Sequence, residues 1–181
     1  MKINYQLTAE DYLKFQLYTA SRSKQVKASR MLTRIVWPLV FIAIGIYFAV
    51  ESVWAGATIM AGIALIWFFV YPLYSRYFYK SHFRKEIKEK YSENLGKELS
   101  IEVRSGDLLL TAPQGQRVIK YSSITEINDL GSHYLILFDT GTVAVLPIGR
   151  EVGRNVWDDF IKQLALKSGK SIYDKKDWEW R

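Results

Sequence analysis

The sequence of 181 residues has no cysteine, two histidines and four prolines. Without cysteine there is no disulfide scaffold, no thiolate metal site and no cysteine nucleophile. The two histidines, His82 and His133, have no carboxylates at metal-ligand spacing around them. A phosphate-binding loop is missing too. Gly169-Lys170-Ser171 has the ending of one, but Leu164 stands where its first glycine is required. Charge is missing from one long stretch: Ser52 to Ser75 is 24 positions without an acidic or basic side chain. That gap excludes a simple soluble globule.

Two apolar blocks are present. From Ile35 to Val50, 14 of 16 residues are hydrophobic, and from Ser52 to Ser75, 18 of 24 are. The mean hydropathy of -0.05 averages these blocks with a polar remainder and describes neither. At 1.5 Å per residue the second block is long enough to cross a bilayer core of roughly 30 Å. The first reaches this length if Met31 and Leu32 extend it and Arg34 snorkels. The connection around Glu51 to Gly56 is short, so the spans form an antiparallel hairpin. Arg22, Lys24, Lys27, Arg30 and Arg34 precede it, and Arg76, Lys80, Arg84, Lys85, Lys88 and Lys90 follow it. The loop between the spans has no basic residue, which places both termini in the cytoplasm. Inside the spans only Thr58, with Glu51 at the outer edge, is polar enough to mark a transport path, so the hairpin reads as an anchor. Gly45/Ala49, Ala57/Ala61 and Thr58/Gly62 are small-residue pairs that let two helices or two protomers approach closely.

The net charge of +7 invites a nucleic-acid reading. Divided along the chain, it is +5 over 1–34, -1 over 35–75 and +3 over 76–181. The excess thus flanks the apolar blocks, and no basic stripe interleaved with aromatics remains for nucleic acid.

The rest of the chain has the periods of a small domain. Lys2 to Leu7 alternates with Ile3, Tyr5 and Leu7 on one face, as an edge strand would. Thr8 is an N-cap, with Glu10 and Asp11 in the first turn of a helix. Beyond the second span, Tyr79, Phe83, Ile87 and Tyr91 make a helical stripe that runs to about Asn94, with Gly96 as its stop. From Lys97 the period becomes two, giving about six short antiparallel strands with a turn at Asp139-Thr140-Gly141. Val156, Trp157, Phe160, Ile161 and Leu164 then mark a closing helix that ends near Gly169.

The predicted class is therefore membrane α+β: a two-helix transmembrane hairpin and a small cytoplasmic antiparallel β domain capped by a C-terminal helix. Its segments are a strand and helix over 1–34, the hairpin over 35–75 with spans near 32–50 and 53–75, a stalk over 76–95, and the β domain over 97–181.

Ile3-Asn4-Tyr5-Gln6-Leu7-Thr8-Ala9-Glu10-Asp11-Tyr12, the hairpin, Tyr121 to Ile127, and Tyr134 to Leu146 followed by Pro147 resemble the bacterial YcxB-like membrane proteins. The resemblance covers essentially the whole chain, by arrangement rather than by any one motif. It implies a pleckstrin-homology-like β domain and a bacterial cytoplasmic-membrane location, and it brings no catalytic residue. The family's basic, aromatic segment after the strand-ending proline is reduced here to Arg150.

No catalytic, cofactor or metal site follows from the sequence. His133 reads as a solvated turn residue, His82 and Glu86 as a surface pair, and Asp158-Asp159 as a solvated helix face. Lys97, Arg104, Arg117 and Lys120 scatter among acidic residues and make a weak phosphoinositide site. The candidate contacts are Arg150, Trp178 and Trp180. The two tryptophans either pack back onto the domain, the preferred reading, or dock on a membrane surface or partner. The partners expected are the lipid bilayer and a protein, either another protein or a second copy of the chain. No nucleic acid and no small-molecule substrate is expected. The alternatives are an enzyme acting on a lipid or membrane-bound substrate, or a lipid-headgroup-binding module.

Overall fold

The computed structural model describes residues 1–92, 95–149 and 151–180. The elements are β1 (Lys2–Gln6), α1 (Ala9–Arg22), α2 (Lys24–Val50), α3 (Trp54–Lys90), β2 (Glu98–Val103), β3 (Asp107–Ala112), β4 (Gly115–Lys120), β5 (Ile124–Asp129), β6 (His133–Phe138), β7 (Val143–Pro147), α4 (Arg154–Ser168) and β8 (Ile172–Asp174). They make two compact units. One joins Met1–Phe15 to Arg84–Glu179; the other comprises Gln16–Phe83 together with Trp180.

The helical unit is a hairpin. Ser23 separates α1 from α2 and caps the latter, its hydroxyl accepting from the Val26 N–H at 3.4 Å. Across the hairpin, Arg30 Nε donates to Ser75 Oγ at 2.9 Å, Trp67 Nε1 donates to the Thr33 carbonyl at 3.3 Å, and the Trp37 and Trp67 rings lie 6.3 Å apart. Partner numbers fall on one helix as they rise on the other, so the pair is antiparallel. Nearer the turn the backbones close in: a Cβ on Gly45 would stand 3.3 Å from Met60 Cβ and 3.5 Å from the Ala57 carbonyl. This is the contact expected of the small-residue spacing. At the tip, Ser52 takes φ +60°, its N–H donates to the Ala49 carbonyl, and the Val53 N–H donates to the Phe48 carbonyl at 2.8 Å. Those two bonds are a Schellman cap, which satisfies the last carbonyls of α2.

Both helices are long and apolar enough to cross a membrane, and only 11% and 6% of their most apolar stretches are buried. Among the described residues, 25 of the 31 exposed large hydrophobic side chains lie on α2, α3 and the tip between them. A core helix of a soluble protein would bury that surface instead.

The β unit consists of two four-stranded sheets, ordered β1-β2-β3-β4 and β7-β6-β5-β8. β1 joins the first sheet as the alternation of Ile3, Tyr5 and Leu7 suggests, with Ile3 opposite Ile101 and Tyr5 opposite Leu99. The hairpin is therefore inserted between two adjacent strands of this domain. On α4, Trp157, Phe160, Ile161 and Leu164 form one face and are completely buried. The Trp157 indole N–H donates to the Pro147 carbonyl at 2.8 Å, and its ring meets Tyr5 and Phe160 edge-on at 5.6 and 5.8 Å. Gly169 ends α4 at φ +66°, as its position predicts.

Three expectations are corrected. From Lys97 on the sheets have seven strands rather than six, and they are not wholly antiparallel. β8 pairs in parallel with β5, Ile127 opposite Ile172 and Asp129 opposite Asp174. Its three residues are all exposed and have no alternation to announce them. The stalk helix ends at Lys90, short of Asn94, which lies outside the described residues. Finally, Glu86 pairs with Lys90 at 2.7 Å rather than with His82, whose ring stacks on Phe78 instead.

Candidate functional site

The most concentrated polar chemistry lies where the first turn of α1 meets the turn before β6. Thr8 begins α1 with a capping box. Its backbone N–H and its hydroxyl both donate to Asp11 Oδ2, each at 2.7 Å. The other Asp11 oxygen lies 2.9 Å from His133 Nε2, and His133 Nδ1 lies 2.8 Å from Ser132 Oγ. Lys14, one turn along α1, donates to the same hydroxyl. Asp11 and His133 are buried at 3% and 8% exposure, whereas Ser132 is exposed. The expectation of a solvated His133 is thus wrong. Its partner is 122 residues away in the chain, beyond any local pattern.

The donor order follows from charge. Burial opposes ionisation of Asp11, but the hydrogen bonds from His133 and Thr8 outweigh it and hold the carboxyl at about 2. The ionised carboxylate accepts only, so Nε2 carries the hydrogen that points at it. In the neutral ring Nδ1 then accepts from the Ser132 hydroxyl, whose oxygen accepts from Lys14. Burial draws the Lys14 ammonium below its ordinary value. The result is a directed relay from an exposed hydroxyl to a buried carboxylate, the order of groups that activates a serine. The same bonds also clasp α1 to the β5–β6 turn.

No protein-family model, curated protein or solved structure matches the chain.

A second polar cluster fixes the C-terminal segment. Asp129, 5% exposed, accepts from Arg154 and from the Gly131 N–H at 2.8 Å, while its own carbonyl accepts from the Lys175 N–H at 2.8 Å. Lys176 Nζ stands 3.6 Å from the same carboxylate. Asp158, expected on a solvated face, instead accepts from the Tyr134 hydroxyl at 2.6 Å. Burial, with that acceptor, pushes the Tyr134 phenol up.

Of the sequence-predicted contact residues, Trp178 belongs to the β unit and Trp180 to the helical unit. Trp178 is half-buried, its N–H donating to the Lys175 carbonyl at 2.9 Å. Trp180 is 5% exposed, 5.6 Å from the Tyr79 ring and beneath the Arg30 guanidinium at 4.7 Å. Arg150 lies outside the described residues. Arg104, one of the four scattered cations of the β unit, pairs with Glu102 at 3.6 Å. Among the described residues no three His, Asp or Glu side chains group as metal ligands.

Proposed function

We propose that this chain is a noncatalytic integral protein of the bacterial cytoplasmic membrane, akin to the YcxB-like proteins. Its hairpin anchors a pleckstrin-like β domain at the cytoplasmic face, where the domain binds a protein partner or a second copy of the chain. One observation carries the reading: the exposed apolar side chains are concentrated on two helices that are themselves inserted between β1 and β2. The lysines and arginines on both flanks of the hairpin support cytoplasmic termini. The two four-stranded sheets, with the buried face of α4 beside them, support the pleckstrin-like form.

The absence of native cysteine makes the test clean. A cysteine at Ser52 is expected to react with a membrane-impermeant maleimide in intact cells. One at the exposed Gln163 is expected to react only after lysis. The reverse pattern, or both reacting in intact cells, would overturn the topology. Crosslinking in native membranes should recover a dimer or a reproducible partner, and monomer alone would count against the interaction.

A second reading, an enzyme acting on a membrane-bound ester, is favoured by the Asp11–His133–Ser132 relay. It predicts that a fluorophosphonate probe labels the wild type and not Ser132→Ala. Equal absence of label from both would leave the relay as a clasp.

A further inference from the structure

The β unit contains a cavity of about 530 Å³, within the roughly 300–1,000 Å³ of small-molecule sites. It is lined by the end of β1, the start of β2, the β3–β4 turn and the β6–β7 turn, with Tyr12 and Phe15 of α1 along one side. Tyr5 also lines it, and its ring meets Trp157 edge-on at 5.6 Å. Leu7, Phe15, Leu99 and Leu110 supply aliphatic and aromatic wall, beside Tyr12 and Tyr91, whose rings stack at 4.8 Å. The rim is neutral and polar, with Gln116 and Thr142. Among the described residues Arg117 is the one charged side chain in the lining. It is exposed on β4, opposite Leu110, with no ion pair among the described residues.

We propose that this cavity binds a long-chain carboxylate. An apolar wall with one cation at its margin and no acid suits a ligand with one negative head and an apolar body. A single guanidinium fork matches a single carboxylate in bidentate geometry. A multiply charged phosphoinositide head would require several converging cations, and among the described residues the lining has one. Ligand entry buries apolar surface on the partly exposed Tyr12, Phe15 and Leu110 side chains, which supplies the affinity, while Arg117 sets the orientation. The inference stands on the β unit alone and does not depend on the partner proposed above.

The test uses the full chain in a nonionic detergent and a photoreactive diazirine analogue of palmitate. Adducts are expected in peptides spanning 99–117 and 141–145. Unlabelled palmitate should compete, and hexadecanol about tenfold more weakly, because an alcohol has no charge for Arg117. Arg117→Gln, at an exposed position, should lower labelling about tenfold. Thr142→Trp, at the partly exposed β6–β7 turn, should abolish it by filling the mouth. Adducts confined to the apolar helices would overturn the proposal, as would equal competition by hexadecanol or β-unit labelling unchanged in both variants. Stronger competition by a lysophosphatidate than by palmitate would overturn the carboxylate assignment.

Discussion

Replacing Ile3, Tyr5 and Leu7 together by serine is expected to unfold the β domain, whereas replacing Lys2, Asn4 and Gln6 together by serine is expected to leave it folded. The two triple variants alter the same strand by the same number of positions. They differ only in face. Ile3, Tyr5 and Leu7 are 6%, 5% and 4% exposed, while Lys2, Asn4 and Gln6 are exposed. Truncating a buried side chain of this size costs about 2–5 kcal/mol, so three remove roughly 6–15 kcal/mol. A whole domain is stable by only about 5–15 kcal/mol. On the outer face the largest loss is the exposed hydrogen bond from Asn4 Nδ2 to Glu98 Oε1, which is worth little. Amide hydrogen exchange at β2 and β6 measures the difference. Equal protection in the two variants would show that β1 is dispensable.

The same strand constrains how the chain assembles. Tyr5 pairs with Leu99 across the whole of α1, α2 and α3, so the first sheet cannot close until both long helices have been made. A loop of that length is entropically expensive when flexible. An antiparallel helical hairpin reduces the cost, because it brings its own two ends back to one side. Helix pairing within the hairpin and strand pairing within the domain are therefore consistent with each other.

The elements read well from the sequence wherever one period governs a run of residues. The apolar blocks, the alternation of Ile3, Tyr5 and Leu7, and the Trp157–Leu164 stripe each record a face turned to one environment, and each appears where its period places it. What escaped is what periodicity does not encode. β8 is three exposed residues held by Asp129 and backbone bonds, so no burial pattern marks it. His133 looked like a turn residue because its surroundings in sequence are polar, and the carboxylate that buries it comes from the other end of the chain. The signal that was available is the capping box at Thr8-Ala9-Glu10-Asp11. It fixes one carboxylate oxygen and leaves the other free to take a second donor. The cavity was equally hidden. Its lining alternates along several strands, and only their pairing places Leu7, Leu99, Leu110 and Arg117 around one space.

Asp11→Ala is expected to cost about 3 kcal/mol, the second largest effect, because three donors lose their acceptor in a buried setting: the Thr8 N–H, the Thr8 hydroxyl and His133 Nε2. Asp11→Asn keeps the shape but not the charge, and about half that cost is expected of it. Acid separates the charge from the shape. The folded Asp11 carboxyl, at about 2, lies below its ordinary 3.8, so the unfolded chain binds the proton more tightly than the folded one. The stabilisation from ionisation, about 2 kcal/mol, is complete above roughly pH 4 and is lost as the pH falls toward 2. Asp11→Asn has no such proton to bind. Its deficit relative to the wild type in unfolding free energy, measured by hydrogen exchange or urea titration of the detergent-solubilised chain, should therefore shrink by about 1 kcal/mol between pH 6 and pH 3. A deficit that stays constant over that range would mean that the hydrogen bonds to Asp11 do not depend on its charge, and the relay to Ser132 would then lose its ionised end.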